Sequence, residues 1–308
     1  MIRWCVVGVG WVARDFVIPA IHAARNAELV AALDIRDDPS DRTKADFDAV
    51  YIATPNDCHA DIAAHYAAKG KHVLCEKPMA RTLTEAQQMV SACRAAGVQY
   101  ATAFDQRFHP RHRQMRDLIK NGKLGTICSA RIHYACWLPP DWSEDNWRVD
   151  PQRAGGGAMI DLAPHGLDLL QVLLDEPIVD IHALKQRKLW NYPVDDGAVL
   201  TACFQGGALA TIQVGYNCPD AFPRRRLEVI GSEGMLIANN TMGQTPGGTV
   251  HWYGANGEAS EVPPPFDVDR SPFQLQIEAF SQSLLDRTPF PFTPEHDLET
   301  MRLLDQCR

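Results

Sequence analysis

The chain has 308 residues, with 30 Lys and Arg against 38 Asp and Glu, a formal net charge of -8; that length suits two domains with buried cores. Its 45% hydrophobic and 22% charged residues exclude a disordered chain, and the acidic balance argues against nucleic acid or an anionic membrane as partner. Nine cysteines without a CxxC pair, no charged leader with an apolar core at the start and no run of ~18 apolar residues predict a cytoplasmic protein, not a secreted disulfide framework or a membrane span.

Residues 3–7 predict a buried strand stopped by Gly8, then a turn and a helix to about Ala24. Glu28–Leu33 predicts a second strand ending at Asp34, and Ala49–Ala53 a third, closed by Thr54-Pro55-Asn56. An Ala-rich helix over 57–69 is stopped by Gly70. His72–Cys75 is a short strand leading into Glu76-Lys77-Pro78. A helix over 84–96, capped by Thr84 and ended by Gly97, precedes a strand at 99–103. Alternating strands and helices imply parallel pairing. After about Asp105 the texture changes. A helix follows Pro110, and strand-like runs at 126–135, 178–184, 198–204, 208–216, 226–230 and 250–253 are interrupted by a helix over 163–174. An amphipathic helix over 271–285 comes last. These runs predict an α/β domain over 1–104 and an α+β domain over 105–308 with a mostly antiparallel sheet and helices on one face.

The run Gly8-x-Gly10-x-x-Ala13 sits between a strand and a helix. Gly8 permits a tight turn, Gly10 lets backbone approach a pyrophosphate, and Ala13 allows close helix–strand packing. The helix start at Trp11 and Val12 then presents N–H groups to the phosphates. Asp34 lies 24 positions after Gly10. A carboxylate there accepts hydrogen bonds from ribose hydroxyls and repels a 2′-phosphate, favouring NAD(H). Arg36 keeps NADP(H) open. Asp161 and His165 are four apart on a helical segment and share a face. His165 is the natural base for a hydroxyl proton; Asp161 either orients the imidazole or binds a substrate hydroxyl. Trp147 and Arg148 suit a polyhydroxylated ligand, or else pack against the chain itself. Gly155–Gly157 is either a flexible loop or a place where backbone approaches a substrate or nicotinamide closely. His109 and His112 form a poor metal pair, and no metal site is expected. Cys58 and Cys75 show no sign of a nucleophilic role.

Four motifs occur in order: Gly8-x-Gly10-x-x-Ala13, Ala53-Thr54-Pro55-Asn56 with His59, Glu76-Lys77-Pro78, and Gly155-Gly156-Gly157-Ala158-x-x-Asp161-x-x-x-His165. In these the chain resembles the Gfo/Idh/MocA oxidoreductases. The segments 13–18, 134–148 and 244–250 more loosely resemble that family's 1,5-anhydro-D-fructose reductase members. The resemblance implies a Rossmann domain followed by an open-faced sheet domain, with a nicotinamide between them. It implies hydride transfer at a secondary alcohol or ketone of a sugar, sugar derivative or polyol. It adds Thr54, Pro55, Asn56, His59, Glu76 and Lys77 to the candidate cofactor residues, with Lys77 catalytic beside Asp161 and His165. Lys77, Trp147, Arg148, Asp161 and His165 become the candidate substrate residues. A cis Lys77–Pro78 bond and a homodimer or homotetramer formed through the outer face of the sheet are also implied. The family normally places a helix, a strand and a short helix where this chain has only residues 35–48. Those 14 residues reach about 46 Å fully extended, so one outer strand of the Rossmann sheet is expected to be missing, with strand two at the edge. The trimmed adenosine side motivates an alternative: a non-catalytic dinucleotide- or sugar-binding relative acting as sensor or partner subunit.

Overall fold

The computed structural model describes residues 1–34, 45–138, 146–265 and 267–308. The chain forms two compact units. The first is Met1–Phe104 with Gln152–Gly155 and Phe273–Asp305; the second is Asp105–Pro151 with Gly156–Pro272 and Gln306–Arg308.

In the first unit, β1 (Ile2–Val7), β2 (Ala27–Leu33), β3 (Ala49–Ile52), β4 (His72–Glu76) and β5 (Tyr100–Ala103) form one parallel sheet in the order β2-β1-β3-β4-β5. β3 and β5 are buried at every position, the pattern of strands covered on both faces. The helices of this half are α1 (Ile18–Ala23), α2 (His59–Ala68) and α3 (Leu83–Ala95). Thr82 caps α3, two residues before the expected Thr84. Its hydroxyl accepts from the Glu85 N–H at 3.2 Å, and Thr84 is already helical. Among the described residues β2 borders the sheet. The stretch 35–44, on which Arg36 and most of the expected loss of a strand fall, lies outside the described residues.

The second unit holds α4 (Pro110–Lys120) and, beyond α5 (Pro151–Ala154), which falls in the first unit except for Pro151, the long helix α6 (Ala158–Leu174). Its strands are β6 (Ile127–Ala135), β7 (Ile178–Gln186), β8 (Gly197–Phe204), β9 (Leu209–Gly215), β10 (Arg225–Gly231), β11 (Gly234–Asn239), β12 (Thr249–Gly254) and β13 (Ala259–Glu261). They form one eight-stranded sheet, β13-β12-β11-β10-β6-β9-β8-β7, antiparallel except for the β6–β9 pair. Strand alternation is clear in β9, where Ala210, Ile212 and Val214 are buried and Leu209, Thr211 and Gln213 exposed. α6 packs on the buried face. Gly166 permits this, because a Cβ there would stand 2.9 Å from Ile212 Cγ2. The opposite face leaves Val179, Leu184, Val199 and Leu209 exposed.

Two helices close the chain, α7 (Pro272–Asp286) and α8 (Pro294–Gln306). The expected second domain ran to residue 308, yet Phe273–Asp305 packs with the first unit. Side chains explain the return. Trp4, fully buried on β1, packs 5.7 Å from Phe280 and donates its indole N–H to Ser281 at 3.0 Å. Asn26 donates to the Glu278 carbonyl at 3.0 Å. Asp297, buried on α8, accepts the Thr102 N–H at 2.8 Å and so satisfies a donor on β5.

Candidate functional site

The glycine turn begins where β1 ends. Gly8 has φ +93°, and a Cβ there would lie 2.6 Å from the Ala53 carbonyl oxygen and 2.8 Å from the Thr54 nitrogen. Only glycine fits that crossing over β3. Gly10 is the opposite case: a Cβ there meets nothing within 4 Å, so open space stands above the turn. Trp11 is exposed and edge-on to Phe16 at 5.4 Å, Val12 is half-buried, and Ala13 is fully buried, as close helix packing requires. Ala13–Val17 winds as one π-helical turn before α1, a distortion frequent at functional sites.

Asp34 follows β2 and lines a cavity of about 300 Å³ with Val7, Leu33, Asp57, Asp61 and Tyr66 among its other walls. Three carboxylates therefore face one small space. The Thr54 hydroxyl is buried without a hydrogen-bond partner among the described residues. Open space at Gly10, an unsatisfied hydroxyl at Thr54 and a carboxylate-lined cavity at Asp34 fit a dinucleotide's phosphates and ribose. Pro55 and Asn56 continue that turn. Asn56 is buried and donates its amide to the Ala154 carbonyl at 2.9 Å, a structural contact.

His59 corrects an expectation. It is fully buried, with Nδ1 3.0 Å from the Pro78 carbonyl and Nε2 3.0 Å from the Thr54 carbonyl. Burial pushes its pKa below the usual value, against the pull of those carbonyls. His59 ties the turn after β3 to the turn after β4 and has no surface to offer a cofactor. Glu76 ends β4 and accepts from the Tyr51 hydroxyl at 2.7 Å and from the Lys77 N–H at 3.3 Å. Lys77 is half-buried, and the Lys77–Pro78 bond is cis. The thiols of Cys58 and Cys75 are raised by burial, so neither is poised as a thiolate.

In the second unit α6 starts at Ala158, five residues before the expected Ala163. Asp195 is the reason: its carboxylate accepts the N–H of Gly157 at 2.9 Å and of Met159 at 2.8 Å, capping a turn the sequence does not announce. Gly157 lies so close to this segment that a Cβ would stand 2.1 Å from the Asp195 carbonyl oxygen. The last glycine of the run thus serves the chain's own packing.

Asp161 and His165 stand one turn apart on α6. Asp161 accepts from the Tyr216 hydroxyl at 2.8 Å. Tyr216 is buried, and its phenol is pushed well up by burial and by the Asp161 charge, while Arg148 pulls it back. Arg148 therefore acts within the same neighbourhood, its guanidinium 4.5 Å from the Trp147 ring. His165 is buried, with Nδ1 3.5 Å from Asp105 Oδ1 and the Tyr134 ring edge-on at 5.6 Å. Burial and the Asp105 charge push the Tyr134 phenol upward. Sequence reasoning missed Tyr216 and Asp105. Neither falls in a motif, and each reaches α6 from more than 50 residues away in the chain.

His109 and His112 are structural. Each is buried, and burial lowers both pKa values, that of His109 to about 4. His109 caps α4, and His112 lies 3.0 Å from the Thr241 hydroxyl. Among the described residues no group of His, Cys, Asp and Glu is arranged to hold a metal, and no helix is long and apolar enough to cross a membrane.

Known proteins resemble this chain along most of its length. Residues 36–104 match the model of an oxidoreductase family with an NAD-binding Rossmann fold, and residues 112–237 match the GFO/IDH/MocA C-terminal domain. The 1,5-anhydro-D-fructose reductase of Ensifer adhaerens is 36% identical over 281 residues, 85% of this chain and 83% of that protein. A D-xylose 1-dehydrogenase (NADP(+)) of Haloferax volcanii is 26% identical over 320 residues, 97% of this chain and 94% of that one. The solved aldose-aldose oxidoreductase of Caulobacter crescentus shares the fold, with a TM-score of 0.88 over 99% of this chain and 96% of that one, at 22% identity.

Proposed function

The chain belongs to the Gfo/Idh/MocA oxidoreductase family, and from that premise we propose that it interconverts a secondary alcohol and a ketone on a cyclic sugar, with 1,5-anhydro-D-fructose the first substrate to test. NAD(P) is the cofactor of the family's fold; when bound, the nicotinamide supplies or accepts the hydride. The observation that carries the reading is Asp161 and His165 on one turn of α6, in a chain that also keeps Lys77 after β4. A noncatalytic relative would have no need of all three.

Each residue then has a task. His165 takes the hydroxyl proton in oxidation and returns it in reduction. Lys77 presents an ammonium to the reacting oxygen and stabilises developing alkoxide charge. Asp161, held by Tyr216, binds a neighbouring hydroxyl. Trp147 and Arg148 bind the remaining hydroxyls and the apolar ring face. Gly8, Gly10, Trp11, Val12 and Ala13 hold the pyrophosphate, Thr54, Pro55 and Glu76 complete the cofactor side, and Asp34 takes the ribose. Asp57 and Asp61 add two carboxylates to the cavity of Asp34. That concentration of negative charge disfavours a 2′-phosphate and supports NAD(H) over NADP(H). In this reading the first unit binds the dinucleotide. The second binds substrate and forms a homodimer or homotetramer through the exposed apolar residues of its sheet. Nine cysteines, none in a disulfide, suit the cytoplasm.

The test is reduction of 1,5-anhydro-D-fructose by NADH, followed at 340 nm, beside a panel of sugar ketones and polyols. Lys77→Ala is expected to cut kcat by about 100-fold or more while NADH binding, read by tryptophan fluorescence, stays within about twofold. NADH binding without turnover of any panel member overturns the catalytic reading.

A further inference from the structure

We propose that Asp105 is the positioning residue of His165: its carboxylate holds the Nδ1 proton and so leaves Nε2 as the nitrogen that exchanges a proton with substrate. The proposal rests on the catalytic reading of His165 above, but its geometry belongs to the second unit alone. Asp105 opens the 3-10 turn Asp105–Phe108 that follows β5, and its side chain is almost fully buried. One carboxylate oxygen is fixed: Gln106 Nε2 donates to Oδ2 at 2.8 Å, and the same amide is tied to the Gly243 carbonyl at 2.7 Å. The other oxygen, Oδ1, faces His165 Nδ1 at 3.5 Å.

An imidazole carries one proton when neutral, and the partner of one nitrogen decides the role of the other. A buried carboxylate accepts and cannot donate, so beside it Nδ1 bears the proton and Nε2 carries the lone pair. General-base contacts are often long before substrate binds and tighten afterwards. The 3.5 Å separation is of that kind, since Gln106 anchors the carboxylate and Tyr134 braces the ring from its edge. The carboxylate also favours the imidazolium that forms when His165 takes a proton. The charged and titratable groups around this pair are Asp161 on α6, Tyr134 on β6 and Arg225 on β10. Arg107 and Asp168, one turn further along α6, are bound to each other, with both side chains fully buried.

The experiment is Asp105→Asn in the whole chain, with kcat for oxidation by NAD+ of the 1,5-anhydrohexitol that corresponds to 1,5-anhydro-D-fructose reduced at C2, measured from pH 5 to 9. An amide can present its NH2 to Nδ1 and stabilise the opposite tautomer. We expect kcat to fall about 100-fold or more and the acidic limb of the profile to move to lower pH by about one unit, because the imidazolium has lost its counter-charge. NADH affinity is expected to stay within twofold, and Asp105→Glu to restore part of the rate. Wild-type kcat with an unmoved acidic limb overturns the proposal. A failed His165→Ala control, one that keeps wild-type turnover, overturns the catalytic reading instead. Nitrogen NMR of 15N-histidine-labelled wild-type protein, with His165 assigned by its loss in His165→Ala, needs neither turnover nor a stable Asp105 variant. A neutral His165 protonated on Nδ1 supports the proposal, and protonation on Nε2 overturns it.

Discussion

Two glycine-rich turns lead into helices, one at Gly8–Ala13 and the other at Gly155–Ala158, and they differ in what fills the space above them. Over Gly10 an added Cβ touches nothing, whereas over Gly157 it would lie 2.1 Å from the Asp195 carbonyl oxygen. The N–H groups at the start of α6 are taken by the Asp195 carboxylate. A helix start whose N–H groups are already capped offers nothing to an anion. The same residue type thus leaves open space over one turn and serves the chain's own packing in the other. What decides is the long-range neighbour, 38 residues away in the second case.

The largest expected effect breaks the crowded turn. In Gly157→Ala the methyl meets backbone, not a side chain that can swing away, so Asp195 must move and its cap is strained. Chemical denaturation is expected to show a loss of about 3 kcal/mol or more. A loss below about 0.5 kcal/mol would show that the 195 segment yields easily. Asp195→Ala isolates the cap from the crowding. Two backbone N–H groups lose a carboxylate acceptor, and about 1–2 kcal/mol should go with them. Dinucleotide affinity is expected to be unchanged, since on this reading α6 binds no phosphate. A measurable drop in NADH affinity would contradict the division of labour between the two turns.

Much of the first turn was legible because its signals are local. A β-branched run ends at Gly8, the glycine spacing follows at once, and Ala13 packs where a small residue must. Asp161 and His165 were legible too, as a spacing on a helix. His59 sat in a motif, yet two carbonyls and full burial give it a structural task that no spacing reveals. Thr82 and Thr84 both fit a cap, and only backbone geometry separates them. β11 is a short apolar run without alternation, hidden for want of a period. Asp105, Tyr216 and Asp195 act on α6 from distant parts of the chain. Asp297 likewise acts from a distance, on β5, whose Thr102 N–H it satisfies across 195 residues. Contacts of that separation are products of the fold, and residue type alone does not place them.

The smallest change to stability should fall at Gly10, and that makes it the sharpest comparison. Its φ lies outside the left-handed region and a Cβ meets nothing, so alanine is expected to alter folding stability by less than about 0.5 kcal/mol, of either sign. The methyl would nevertheless occupy the space over the turn where, on the proposed reading, a pyrophosphate approaches backbone. NADH affinity should therefore fall at least tenfold, about 1.4 kcal/mol, with the denaturation midpoint almost unmoved. Gly157→Ala should show the reverse pattern, with stability lost and the affinity of the folded fraction kept. If Gly10→Ala instead binds NADH as the wild type does, the open space above it is not the phosphate site. The carboxylate cavity at Asp34 would then have to be read without a dinucleotide running from it to the turn.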